Sequence, residues 1–122
     1  MAFRFEGLEI WQLAVTFAGN IYDVNEKFPK DEIFGLVSRL RRAATSISLN
    51  IAEGTGRSSR KEFAHFLDIS IGSVFEVVTA VAIARKRGML GEDAYKEIYA
   101  DAETLAKKIF TFKKSVLRQP TP

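Results

Sequence analysis

Cysteine is absent from these 122 residues, and histidine occurs once. The first absence removes a disulfide framework and any thiolate metal site. The second removes the di-iron centre of helical bundles, which needs two Glu-x-x-His pairs and two further glutamates. Glu62 and His65 supply one such pair, and Glu62 reads as a helix-capping residue with an unrelated histidine behind it. No phosphate-binding loop is present, because Gly54-Thr55-Gly56 is not followed by the lysine and hydroxyl pattern. Nothing has the makings of a hydrolytic triad. The opening MAFRFEGLEIW lacks the basic start, apolar run and small-residue cleavage site of a signal peptide, so the cytoplasm is expected. No metal, cofactor or enzymatic activity is expected either.

Strand patterning is missing too, since no segment alternates apolar and polar residues over a useful length. What the chain has instead is helical periodicity, broken at short intervals. The first segment, about Leu8 to Lys27, carries Leu8, Trp11, Ala14, Ala18 and Ile21 at helical spacing, widened by Phe17 and Val24. Phe28-Pro29 ends it, because proline disfavours helical geometry in the residue before it. The second begins near Asp31 and uses Ile33, Leu36, Leu40, Ala44, Ile47 and Ile51 as its buried row. Gly54 and Gly56 are expected to stop it through left-handed geometry. Ser59-Arg60-Lys61-Glu62 reads as a capping box opening the third segment. Gly88, behind Arg85-Lys86-Arg87, closes that segment, and cations suit the negative end of a helix. The fourth starts around Gly91 with a heptad row of Tyr95, Ile98, Ala102, Leu105, Ile109, Phe112 and Val116. Pro120 and Pro122 mark a frayed tail. Short connections make neighbouring helices antiparallel, so the predicted fold is all-α, a single up-down-up-down four-helix bundle, helical from about 8 to 118.

The third segment is unusual. From Phe63 to Ala84 its only formal charges are Asp68 and Glu76, and apolar residues occupy nearly every face. The branched residues Val74 to Val81 give a minor strand signal, overridden by the cap upstream and by the length of the pattern. A helix that is apolar all round must be buried all round. A membrane span is one way to achieve this, but His65, Asp68, Ser70, Ser73 and Glu76 are costly in lipid, and no membrane is expected. A bundle this small covers one side of a helix, so the other side is expected to meet a second subunit. Phe3 and Phe5, before the first helix, are also placed to pack on a neighbour, whereas the other phenylalanines and Trp11 read as core.

Charge is distributed unevenly around a net +3. Residues 1–33 hold three bases and six acids, while the remainder holds 15 bases and nine acids. Between positions 34 and 72, Arg39, Arg41, Arg42, Arg57, Arg60 and Lys61 outnumber the acids Glu53, Glu62 and Asp68. From Leu105 onward come Lys107, Lys108, Lys113, Lys114 and Arg118 with no acid. Such clusters on a helical protein read either as a solvated face or as the electrostatic footprint of an acidic partner, RNA or DNA foremost. Asn50 and Glu53 lie beside the apolar row near the second helix's end, where they can cap, pair with Arg57 or Arg60, or bond across a subunit boundary.

The strings EIWQLA, LRRAA-x-SI-x-x-NIAEG-x-x-R-x-S and FLDISIGSVFE resemble the four-helix-bundle family of 23S rRNA intervening-sequence proteins, the S23 family, over about the whole chain. The resemblance implies an antiparallel bundle assembled as a homopentamer. It also implies kinship with the accessory variability proteins of diversity-generating retroelements, basic pentameric barrels that bind reverse transcriptase and nucleic acid. Arg41, Arg42, Asn50, Glu53, Gly54, Arg57 and Ser59 match the family pattern, with Asn50, Glu53, Gly54 and Ser59 in structural or interface roles. Val37-Ser38-Arg39 departs from it, adding a positive charge where relatives tend to carry glutamine. Function is therefore read as non-enzymatic: an oligomer that binds nucleic acid, or a nucleic-acid enzyme, through basic faces. Two alternatives stand beside it. One is a ribonuclease resembling the helical HEPN type, with Arg60 and His65 as its phosphate-stabilising and proton-transferring groups. The other is a purely structural scaffold.

Overall fold

The helical periodicity is realised as four helices in the computed structural model, which describes residues 2–119. Four helices follow in order: α1 (Glu9–Asn25), α2 (Leu36–Thr55), α3 (Arg60–Lys86) and α4 (Glu92–Arg118). Short 3-10 turns at Arg4–Gly7 and Lys30–Glu32 precede α1 and α2. No strand occurs among the described residues, and the branched run Val74 to Val81 is helical. Each helix packs on its two neighbours, α1 on α2, α2 on α3, α3 on α4 and α4 back on α1, which gives the antiparallel four-helix bundle. Pro120 and Pro122 lie outside the described residues.

The core is the sum of the four apolar rows. Ala14, Phe17 and Ile21 from α1 meet Leu40, Ile47 and Ile51 from α2, Leu67, Val77 and Val81 from α3, and Ile98, Leu105 and Ile109 from α4. Each such Leu or Ile contributes about 1.5–3 kcal/mol when wholly removed from water. Two serines inside this layer are bonded across helices: Ser70 donates to the Ile47 carbonyl at 2.9 Å, and Ser73 to the Ser46 hydroxyl at 2.9 Å. By length and composition α3 alone of the described helices could cross a membrane. Here it is packed between α2 and α4 and fastened to α2 by these serines.

Three local expectations are corrected. The second helix begins at Leu36 and not near Asp31. Gly35 leaves helical geometry, the segment before it forms a 3-10 turn, and the Glu32 carboxylate accepts from the Leu36 N–H at 3.3 Å. Ile33 therefore falls before the helix and is half exposed, and Phe34 beside it is 95% exposed. Second, neither Gly54 nor Gly56 is left-handed; of the described glycines only Gly88 has positive φ, at 75°. Third, the Ser59 hydroxyl accepts from the Glu62 N–H at 3.1 Å, but the Glu62 carboxylate accepts from the hydroxyls of Ser58 and Ser59, so one arm of the capping box is formed. The stop at Gly88 is as expected: its N–H reaches the Arg85 carbonyl, and that of Met89 reaches the Ala84 carbonyl, the double bond pattern of a left-handed helix cap.

Candidate nucleic-acid interface

Up-down topology turns a linear charge pattern into a polar molecule. The start of α1, the end of α2, the start of α3 and the end of α4 share one end of the bundle. That half, residues 2–17, 46–73 and 105–119, carries nine bases against five acids. The other half carries nine bases against ten acids. Positive charge is thus gathered at one end, although the cations come from four separate stretches of sequence.

The side chains there are not equally available. Lys113, with 22% of its side chain exposed, bonds Asp68 at 2.7 Å and ties α4 to α3. Lys108 bonds Glu9 at 3.1 Å and ties α4 to α1. Lys107 lies 3.9 Å from Glu103 one turn back, a weaker and well-solvated pair. Lys114 stands 5.0 Å over the Phe110 ring with its ammonium otherwise exposed. Arg57 pairs with Glu53 and covers the Phe66 ring at 4.5 Å. Lys61 has no ion-pair partner among the described residues, and Arg60 does have a partner within the protein.

Arg39, Arg41 and Arg42 sit toward the opposite end. Arg39 and Arg42 are exposed, without ion pairs among the described residues, and line an α2–α3 cleft of about 510 Å³ together with Ser46, Leu49 and Glu76. Arg41 turns inward, its guanidinium 4.6 Å over Tyr22 and its Nε buried without a hydrogen-bond partner. Within the family motif, then, adjacent arginines have opposite fates. Within the subunit Asn50 bonds back along its own helix; its Nδ2 donates to the Ser46 carbonyl and hydroxyl at 2.8 and 2.9 Å. With Ser73 this makes a small polar chain between α2 and α3.

At the basic end lies a cavity of about 570 Å³ lined by Arg4, Arg57, Ser58, Ser59, Arg60 and Phe63. Arg4 was not recognisable in sequence, because it stands in an acidic segment far from the other clusters. It arrives there because the turn before α1 folds back, with Phe5 packed 5.1 Å from Trp11 and the Phe3 N–H bonded to Glu6. Its guanidinium lies 5.6 Å from the Phe63 ring. Phe3 stacks on Phe5 at 5.6 Å and keeps an exposed face.

Arg60 and His65 are not brought to one site. Five residues apart on a helix, they point about 140° from each other. Arg60 lines the end cavity; His65 does not, and its exposed ring meets the edge of Phe66 at 5.8 Å. Among the described residues no three His, Cys, Asp or Glu side chains are grouped to hold a metal ion.

Comparison with known proteins agrees with the motif. The family described as 23S rRNA-intervening sequence protein matches residues 6–111. A solved structure described as a protein with unknown function from the S23 ribosomal protein family of Bacteroides thetaiotaomicron superposes with a TM-score of 0.80. The two sequences are 21% identical, and the match covers 86% of this chain and 98% of the other. At that identity the likeness speaks for the fold. No curated protein matches.

Proposed function

Since this chain belongs to the 23S rRNA-intervening sequence protein family, we propose that it is a non-enzymatic, oligomeric nucleic-acid-binding bundle of the cytoplasm. The observation that carries this reading is the segregation of charge along the bundle, nine bases against five acids at one end and near balance at the other. Neutralising phosphates with such cations releases counterions, which supplies affinity without base recognition. Helical faces that offer no groove-reading motif favour contacts to phosphate over contacts to bases. Assembly reinforces the effect, because a ring of subunits repeats each basic end around its axis. A subunit count of five is what the family resemblance implies. If the acidic partner were instead an enzyme that handles nucleic acid, a reverse transcriptase in the retroelement branch, the same surfaces would serve.

Fluorescence anisotropy with labelled single-stranded and duplex RNA and DNA, over a range of salt, tests the reading. Binding is expected to be tolerant of sequence and to fall steeply with salt. Replacing Lys61 and Lys114 by glutamine should weaken it and flatten the salt slope by about one per lost phosphate contact. Lys113 is left intact because it holds Asp68. Absence of any retention of RNA or DNA at low salt would overturn the proposal.

A further inference from the structure

The geometry points to the cavity at the basic end as a phosphate-recognition pocket, the place where the nucleic-acid reading above becomes a site. Three guanidiniums, from Arg4, Arg57 and Arg60, line it and no carboxylate does; the Ser58 and Ser59 hydroxyls in its wall already donate to Glu62. The α2–α3 cleft differs on that point, since Glu76 stands there with Arg39 and Arg42. Nearby acids are already engaged. Glu53 accepts from Arg57, Glu62 from the two serine hydroxyls, and Glu6 from the Phe3 N–H. The volume, about 570 Å³, falls within the roughly 300–1,000 Å³ of small-molecule sites.

Arginine suits this ligand because its planar fork offers five donors in a geometry that matches phosphate oxygens. The Glu53 bond uses Nη2 of Arg57 and the Phe66 face covers the guanidinium plane, so the group is oriented before a ligand arrives. Arg4 is likewise placed by Phe63, and it has no ion-pair partner among the described residues. Arg60 has a partner of its own, so the recognition rests on Arg4 and Arg57 while Arg60 adds charge. The N-terminus of α3 is closed by its own Ser59 cap. The shared chemistry is an oxyanion of phosphorus, which a strand offers either as a backbone diester or as a terminal monoester.

The test uses the whole chain and two probes. In the first, pyrophosphate is titrated into the isotope-labelled protein while the arginine Nε–H signals are followed by NMR. The signals of Arg4 and Arg57 should move together and saturate, and in Arg4→Gln the Arg57 response should weaken about tenfold. In the second, anisotropy compares one RNA sequence bearing a 5′-hydroxyl or a 5′-phosphate. Equal loss of affinity for both RNAs in Arg4→Gln identifies the diester as ligand; loss confined to the phosphorylated RNA identifies the terminal monoester. Arg4→Lys, which keeps the charge without the fork, should recover part of the loss. Arg4 lies outside the helices, and circular dichroism confirms that each variant is folded.

Wild-type binding to RNA with no change in Arg4→Gln or Arg57→Gln, and no response to pyrophosphate, overturns the pocket and leaves the broader reading intact. A saturable pyrophosphate response in a protein that retains no nucleic acid does the reverse.

Discussion

At Gly54 a Cβ would fall 2.7 Å from Cδ1 of Phe63 and 3.1 Å from Cβ of Phe66. The residue is buried inside α2, so its glycine is demanded by the close crossing of α2 and α3 and not by a left-handed turn. Phe63 is a buried ring wedged edge-on against Phe112 of α4, and it has little room to yield. Gly54→Ala is therefore expected to destabilise the fold by about 1–3 kcal/mol, the usual range for overpacking a core. Gly56→Ala, whose Cβ would meet only the Glu53 carbonyl at 3.6 Å, should stay within about 0.5 kcal/mol. Urea denaturation of both variants checks the contrast, and equal stabilities would mean that Phe63 moves aside. The motif thus encodes a steric fit at Gly54, an inward cation at Arg41 and an outward one at Arg42, three roles that adjacent letters do not separate.

The helices themselves show how far sequence reading reaches. The heptad row of α4 is buried or half-buried throughout, and both ends of α3 follow their local signals, Ser59 at the start and Gly88 at the stop. Caps and periodicity are short-range chemistry, so one stretch of sequence contains everything that decides them. The start of α2 was not legible in the same way: acids at Asp31 and Glu32 suit a helix N-terminus, yet the Glu32 side chain caps from outside while Gly35 breaks the run. The candidate site was legible as a list of cations but not as a place. Whether Lys113 is free depends on Asp68, 45 residues earlier in the chain, and Arg4 reaches the cavity only through tertiary folding. The α3 stop gives an element-level test. At Gly88, with φ of 75°, alanine should cost about 1 kcal/mol and lower the melting temperature by about 4 °C. A Cβ there meets nothing within 4 Å, so any loss would be conformational and not steric. An unchanged melting temperature would show that the cap does not hold the α3–α4 connection.

For the whole molecule, the question is what the outer side of α3 is for. Its inner side is buried by α2 and α4, but Ile69, Phe75 and Ile83 recur along the outer side, and Phe75 is 62% exposed. Tyr99 and Phe110 of α4 extend the apolar strip. Between the two helices runs a groove of about 380 Å³ lined by Val74, Phe75, Val78, Tyr99, Ala102 and Ala106. Glu103 and Lys107 are the charged residues that line this groove. A second copy of the chain is the occupant proposed here, because a closed ring would cover the same strip on every subunit and leave no apolar edge. Phe75→Asp with Tyr99→Asp should convert the assembly to monomers that keep their helical signal, read by light scattering alongside circular dichroism. The same variant joins assembly to binding: its basic end is untouched, yet without neighbours each contact with RNA stands alone. Affinity for a long RNA should drop by at least about 100-fold, the scale of lost multivalency, while affinity for pyrophosphate should not change. A wild-type protein that scatters as a monomer would remove the assembly from this picture. Retention of full affinity in the monomeric variant would instead confine binding to the single bundle end.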